Sequence, residues 1–226
     1  AIMPISFRSN QNSKRTTDGG KIPEMPLNIV VKERAMKILE ERILRDGKVR
    51  PGNVLKVGGF LNHLIDHQLL DEIGKEISAL FCGENITKIL TIEASGIAIA
   101  CAAAHYVNAP VLFAKKSKTI NISNDCYHAE VYSYTHQVSK TIMVEKDFIS
   151  KDDRVLIVDD FLANGAAIAG LMSIVEQAGA TLVGCAVAIE KGFQGGGDEL
   201  RQKGVKVESL AIIDSMEDGK IVFRQQ

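Results

Sequence analysis

One stretch constrains the fold of this chain more than any other: Val155-Leu156-Ile157-Val158-Asp159-Asp160-Phe161-Leu162-Ala163-Asn164-Gly165-Ala166-Ala167. Four adjacent apolar residues read as a buried strand, and two carboxylates stand at its C-terminal end. A turn of small residues follows, after which Ile168, Leu171, Met172 and Val175 recur at helical spacing. In an open parallel sheet, ligands gather at the carboxyl ends of strands. A helix that starts there offers unpaired backbone N–H groups and a positive dipole end, both suited to a phosphate. Ala163, Gly165, Ala166 and Ala167 are small enough for the backbone to approach such an anion closely, and Asp159 with Asp160 can accept hydrogen bonds from vicinal hydroxyls, as a ribose presents. An isolated Asp-Asp pair would be an ordinary acidic strand end; joined to a small-residue turn and a helix start, it can hold a ribose 5-phosphate.

The rest of the chain predicts the same architecture. Leu39, Ile43 and Leu44 continue a helical pattern from Met36 with Gly47 as a stop, and the Pro51-Gly52 pair opens a loop. Leu69, Ile73, Ile77 and Leu80 mark a second amphipathic helix ending near Gly83. Apolar runs then alternate with helical patterns: Ile89 to Ile92, Ile97 to Tyr106, Val111 to Ala114, Val155 to Val158, Ile168 to Val175 and Leu182 to Ile189. This alternation predicts an α/β fold with a mainly parallel sheet and helices on both faces. Between Lys115 and Gln137 the chain is polar and long for a connection, which predicts a mobile flap or an extra β-hairpin. Residues 1–32 lack a sustained hydrophobic period and read as a disordered extension or an expression scar, leaving 33–226 as a single domain.

With 27 basic and 28 acidic residues the net charge is -1, which gives no global electrostatic case for binding nucleic acid or a membrane surface. Cys82, Cys101, Cys126 and Cys185 form no Cys-x-x-Cys pair; three lie in apolar runs and read as core residues. The absence of a long apolar segment leads to the expectation of a cytoplasmic protein.

The thirteen-residue stretch resembles the phosphoribosyl pyrophosphate motif of type I phosphoribosyltransferases. The resemblance runs from about Met36 to the C-terminus and is nearest to the bacterial xanthine-using branch of that purine family. It is carried by Leu55-Lys56-Val57 with Phe60-Leu61-Asn62-His63, Thr91 through Ile97, Phe113-Ala114-Lys115-Lys116, Val131-Tyr132-Ser133 and Ile189 through Gln194. It implies the family fold, with a small hood formed by the N-terminal segment and C-terminal strands. It also implies purine salvage: transfer of the 5-phosphoribosyl group from phosphoribosyl pyrophosphate to xanthine.

The resemblance carries roles to individual positions. Ala163, Asn164, Gly165, Ala166 and Ala167 would cradle the 5-phosphate, with Asp159 and Asp160 on the ribose hydroxyls. Glu93, Ala94, Ser95 and Gly96 would form the pyrophosphate loop, where a strained peptide turns N–H groups toward the anion. Lys115, Lys116 and Lys118 would neutralise the leaving group, and Leu55, Asn62 and Lys191 would hold the purine, Lys191 donating to the oxygen at C6. Mg²⁺ would bind through substrate oxygens without a protein ligand set, and a homodimer is expected.

Many hypoxanthine and guanine transferases carry Asp where this chain has Ala163, an absence that suits xanthine, the most acidic common purine. Gly58-Gly59 and Gly195-Gly196-Gly197 depart from the xanthine-using pattern. The alternatives are an adenine or hypoxanthine-guanine transferase and, more remotely, a regulator that senses phosphoribosyl pyrophosphate. The latter would need a DNA-reading module, and the residues before Met36 do not read as one.

Overall fold

The computed structural model describes residues 27–116, 125–133 and 138–225. Helix α1 (Leu27–Asp46) begins before Glu33, where the hydrophobic pattern first becomes periodic, and ends at Gly47, whose N–H bonds Ile43 O at 2.8 Å. Residues 27–32, expected to be disordered, are therefore part of a helix. The Pro51-Gly52 loop joins a short hairpin, β1 (Lys48–Arg50) and β2 (Val54–Lys56), that the sequence reading missed because strands of three residues are too short to show an alternating pattern. Helix α2 (His67–Leu80) starts where Asp66 accepts N–H bonds from Gln68 and Leu69, a side-chain cap worth about 1 kcal/mol.

Strand β3 (Lys88–Ile92), helix α3 (Ser95–Val107) and strand β4 (Val111–Ala114) form a βαβ unit. An antiparallel hairpin follows, β5 (Cys126–Ser133) with β6 (Val138–Glu145), on the segment read as flap or hairpin; residues 117–124 and 134–137 lie outside the described part. Strand β7 (Arg154–Leu162), helix α4 (Ala166–Gln177), strand β8 (Thr181–Lys191), helix α5 (Gly196–Gln202), strand β9 (Val207–Ser215) and strand β10 (Val222–Phe223) complete the chain. The main sheet runs β10-β9-β8-β7-β3-β4 and is parallel except for β10. The C-terminal strands, expected in a hood, are thus part of this sheet, and β1–β2 stands apart from it as a separate two-stranded sheet.

Both faces of the sheet are covered, and β7 shows how. Leu156 and Val158 pack with α1, α2 and α3, whereas Val155 and Ile157 pack with α4 and the β5–β6 hairpin. Side chains alternate along a strand, so a run with no polar residue is what a doubly covered strand requires. Of the cysteines only Cys185 is buried; Cys82 and Cys101 are exposed and Cys126 is intermediate, which corrects the core assignment made from apolar neighbours. Burial pushes the Cys185 thiol up to about 12, so it is a packing residue and not a nucleophile. Among the described residues no helix is long and apolar enough to cross a membrane.

Candidate active site at the carboxyl ends of the parallel strands

A cavity of about 600 Å³ opens at the carboxyl ends of the parallel strands, lined by Ile92, Ser95, Asp159, Asp160 and, from the turn that follows, Ala163, Asn164, Ala166 and Ala167. Lys116 lies on its wall beside Val131, Lys140 and Ile142 from the hairpin, while Gly52, Asn53, Val54, Lys191 and Gln194 close its other side.

The carboxylates lie inside β7 and not beyond its end. Both line the cavity, and each accepts a hydrogen bond of its own. Asp160 accepts a hydrogen bond from Asn62 Nδ2 at 2.8 Å. Asp159 accepts one from the Asp160 N–H at 2.9 Å. Burial first, and then the neighbouring Asp160 carboxylate, hold the Asp159 carboxyl well above the usual carboxylate range. A site that keeps one carboxylate buried beside another is poised for hydroxyl donors or a cation.

The turn after β7 is shaped for a phosphate. Gly165 takes φ +83°, which a side chain would strain, and caps α4 with its backbone. Asn164 Oδ1 accepts the Ala166 N–H at 3.1 Å, and the helix start leaves further N–H groups directed out of its end. At the pyrophosphate-loop positions, Ser95 reaches the cavity and opens α3, Ala94 caps that helix, and the Glu93–Ala94 peptide is cis. Glu93 accepts the Lys116 N–H, which ties this loop to the start of the segment after β4. Gly96 is wedged beneath Asp159: a Cβ there would stand 2.9 Å from Asp159 Oδ1 and 2.1 Å from Thr91 Oγ1.

Lys191 ends β8 half-buried, its Nζ donating to Asn53 O in the hairpin turn at 3.0 Å and lying 5.8 Å from the centre of the Phe161 ring. Burial pushes its ammonium below the usual lysine range. Of the predicted residues, Leu55, Asn62, Glu93, Ala94, Gly96, Lys115 and Gly165 do not line the cavity. Leu55 is only 6% exposed and belongs to the core under α1, and its neighbour Val54 lines the cavity in its place. Lys115 pairs its backbone with Met143 in both directions and borders a different hollow with Phe113 and Phe148. Asn62 acts on the cavity through Asp160, and Lys118 lies outside the described residues. Sequence reasoning missed Asn53, Val54 and Lys140, because the turn and hairpin that deliver them carry no motif of their own.

Residues 61–216 match the family described as phosphoribosyl transferase domain. The chain belongs to the phosphoribosyltransferase family. Among phosphoribosyltransferases it is 54% identical over 191 residues to the xanthine phosphoribosyltransferase of Lachnoclostridium phytofermentans, covering 84% of this chain and 98% of the relative. The Bifidobacterium longum xanthine phosphoribosyltransferase is 55% identical over 84% of this chain and 100% of its own. Among solved phosphoribosyltransferases, the Rhodothermus marinus adenine phosphoribosyltransferase superposes with a TM-score of 0.63 at 25% identity, over 80% of this chain and 98% of that one. The Giardia lamblia enzyme complexed with 9-deazaadenine has a TM-score of 0.65 at 21% identity over 77% and 96%, a likeness of fold.

Proposed function

We propose that this chain is a purine salvage enzyme that transfers the 5-phosphoribosyl group of phosphoribosyl pyrophosphate to xanthine, giving xanthosine 5'-monophosphate and pyrophosphate. The observation that carries the reading is one cavity that holds a phosphate-shaped turn at Ala163–Ala167, two carboxylates at Asp159 and Asp160, and a half-buried ammonium at Lys191. The choice of base rests on relatives 54% and 55% identical over 84% of the chain that carry the xanthine name, and on Lys191, which can only donate. A donor suits the oxygen at C6 of xanthine and not the amino group of adenine.

In this reading the turn binds the 5-phosphate, the carboxylates orient the ribose through its hydroxyls, and the purine nitrogen displaces pyrophosphate at C1. Xanthine, the most acidic common purine, attacks after losing its ring N–H proton to solvent; the new N–C bond forms as the C–O bond breaks, and the leaving pyrophosphate takes the electron pair. Holding both reactants in line supplies much of the rate. Lys116 and Ser95 stand on the wall where the leaving group would lie.

The donor set suits Mg²⁺, which favours one or two carboxylates plus substrate oxygens and keeps its waters. Asp159 and Asp160 line the cavity and would hold the ion through the ribose hydroxyls and pyrophosphate oxygens of the substrate. When bound with substrate, Mg²⁺ would neutralise the pyrophosphate. A cytoplasmic homodimer completes the proposal.

Initial rates with xanthine, hypoxanthine, guanine and adenine, each with phosphoribosyl pyrophosphate and Mg²⁺, test it. Xanthine should give the highest kcat/KM; a higher value for another purine overturns the choice of base, and no turnover with any purine overturns the activity.

A further inference from the structure

Behind the phosphate turn lies a charge network that no substrate-facing role requires. Glu190 is 1% exposed at the end of β8, where it pairs in register with Leu162, the residue before the turn. Arg201 of α5 grips it with both ends of the guanidinium, Nη1 to Oε1 at 3.0 Å and Nη2 to Oε2 at 2.7 Å. Ser209 donates a further bond to Oε2, and Arg201 Nε donates to Val207 O at 3.2 Å. None of Glu190, Arg201 and Ser209 lines the cavity.

The network reaches the turn through two glycines. A Cβ on Gly197 would lie 2.1 Å from Glu190 Oε1, so this backbone rests directly on the gripped carboxylate. A Cβ on Gly196 would lie 2.4 Å from Ala163 O and 2.6 Å from Gly165 N, and the Gly196 N–H donates to Ala163 O at 3.2 Å. The carboxylate, the Gly196–Gly197 backbone and the phosphate turn are therefore stacked with no side chain between them. Gly196 and Gly197, part of a run that departs from the xanthine-using pattern, have their physical reason here, while Gly195 takes φ +75°.

We propose that Arg201 is a positioning residue for ribose 5-phosphate, fixing the Ala163–Gly165 turn through Glu190 and the Gly196–Gly197 backbone. The proposal rests on the reading that this turn holds the 5-phosphate. A planar fork that satisfies both carboxylate oxygens fixes direction as well as charge, which a lysine ammonium does not. Loss of a hydrogen bond to a charged phosphate weakens binding about ten- to a hundredfold, so loss of the fork should read at the turn and not at the pyrophosphate end.

The test compares wild type, R201K and the double variant E190Q/R201M, which removes both charges together and so leaves neither ion buried alone. Ribose 5-phosphate and inorganic pyrophosphate are titrated separately by calorimetry, alongside thermal unfolding. The expected result is ribose 5-phosphate binding weakened about ten- to hundredfold in folded R201K or in the double variant, with pyrophosphate binding within about twofold of wild type. Unchanged ribose 5-phosphate binding in a folded variant, equal loss for both ligands, or failure of both variants to fold overturns the positioning role. Gly165→Val serves as the control on the underlying reading: if it too leaves ribose 5-phosphate binding intact, the site assignment fails and not merely the role of Arg201.

Discussion

Substituting Gly96 by alanine adds one methyl group at a point where the structure has no room for it. The new Cβ would lie 2.1 Å from Thr91 Oγ1, whereas ordinary contact begins at 3.4 Å, so about 1.3 Å of movement is needed. Thr91 is fully buried and β-branched, with few rotamers to escape into. The other neighbour, Asp159 Oδ1 at 2.9 Å, is itself 4% exposed. Overpacking of this kind costs about 1–3 kcal/mol, which for a chain of this size lowers Tm by roughly 2 to 12 °C. Displacing Asp159 also disturbs the ribose end of the cavity, so kcat/KM for phosphoribosyl pyrophosphate should fall by about ten- to a hundredfold. The structure supplies a specific rescue. Thr91 Oγ1 has no hydrogen-bond partner among the described residues, so Thr91→Ala alone should be mild, and in combination with Gly96→Ala it removes the tighter of the two clashes. Thermal unfolding and steady-state kinetics on the two single variants and the double complete a mutant cycle, with an expected favourable coupling of about 0.5–3 kcal/mol. A Gly96→Ala protein with wild-type Tm and kinetics, or a double variant no better than Gly96→Ala, would refute the packing argument.

Two other outcomes follow from the site. Because burial and the Asp160 charge raise the Asp159 carboxyl, the folded chain holds a proton that the unfolded chain releases between the ordinary carboxylate range and the raised one, and stability falls as pH rises through that window. Asp159→Asn should therefore stabilise the protein in mildly alkaline buffer, lose that advantage in acid below the ordinary carboxylate range, and abolish transfer; urea unfolding at the two pH values checks the sign. Lys191→Ala, which removes a charged donor worth about 1.5–3 kcal/mol, should lower kcat/KM for xanthine about ten- to hundredfold and spare adenine; paired kinetics with an unchanged ratio of the two bases would remove Lys191 from base recognition.

The exposed hollow beside Lys115 illustrates where reading residues in order goes wrong. Lys115 and Lys116 are neighbours of one type in one motif, yet strand pairing with Met143 sends Lys115 toward Phe113 and Phe148 while Lys116 lines the cavity. Leu55 and Val54 divide in the same way, one into the core and one onto the cavity wall. A one-residue difference along a strand changes the face, and only pairing decides which face is inside.

By itself the sequence determined the doubly covered parallel sheet, the β7–α4 turn and the pairing of two carboxylates with a phosphate-shaped helix start, because each of these is local. Apolar run length, small residues and helical spacing act over a dozen neighbours and leave their mark in order along the chain. Tertiary structure alone decided that Asn62 reaches Asp160 across 98 positions, that Lys191 meets Asn53 across 138, and that Gly196 lies against Ala163. These contacts are made where distant strands end side by side. A hydrogen bond or a missing Cβ at such a junction depends on where the backbone of another element passes, which no periodicity in either segment records.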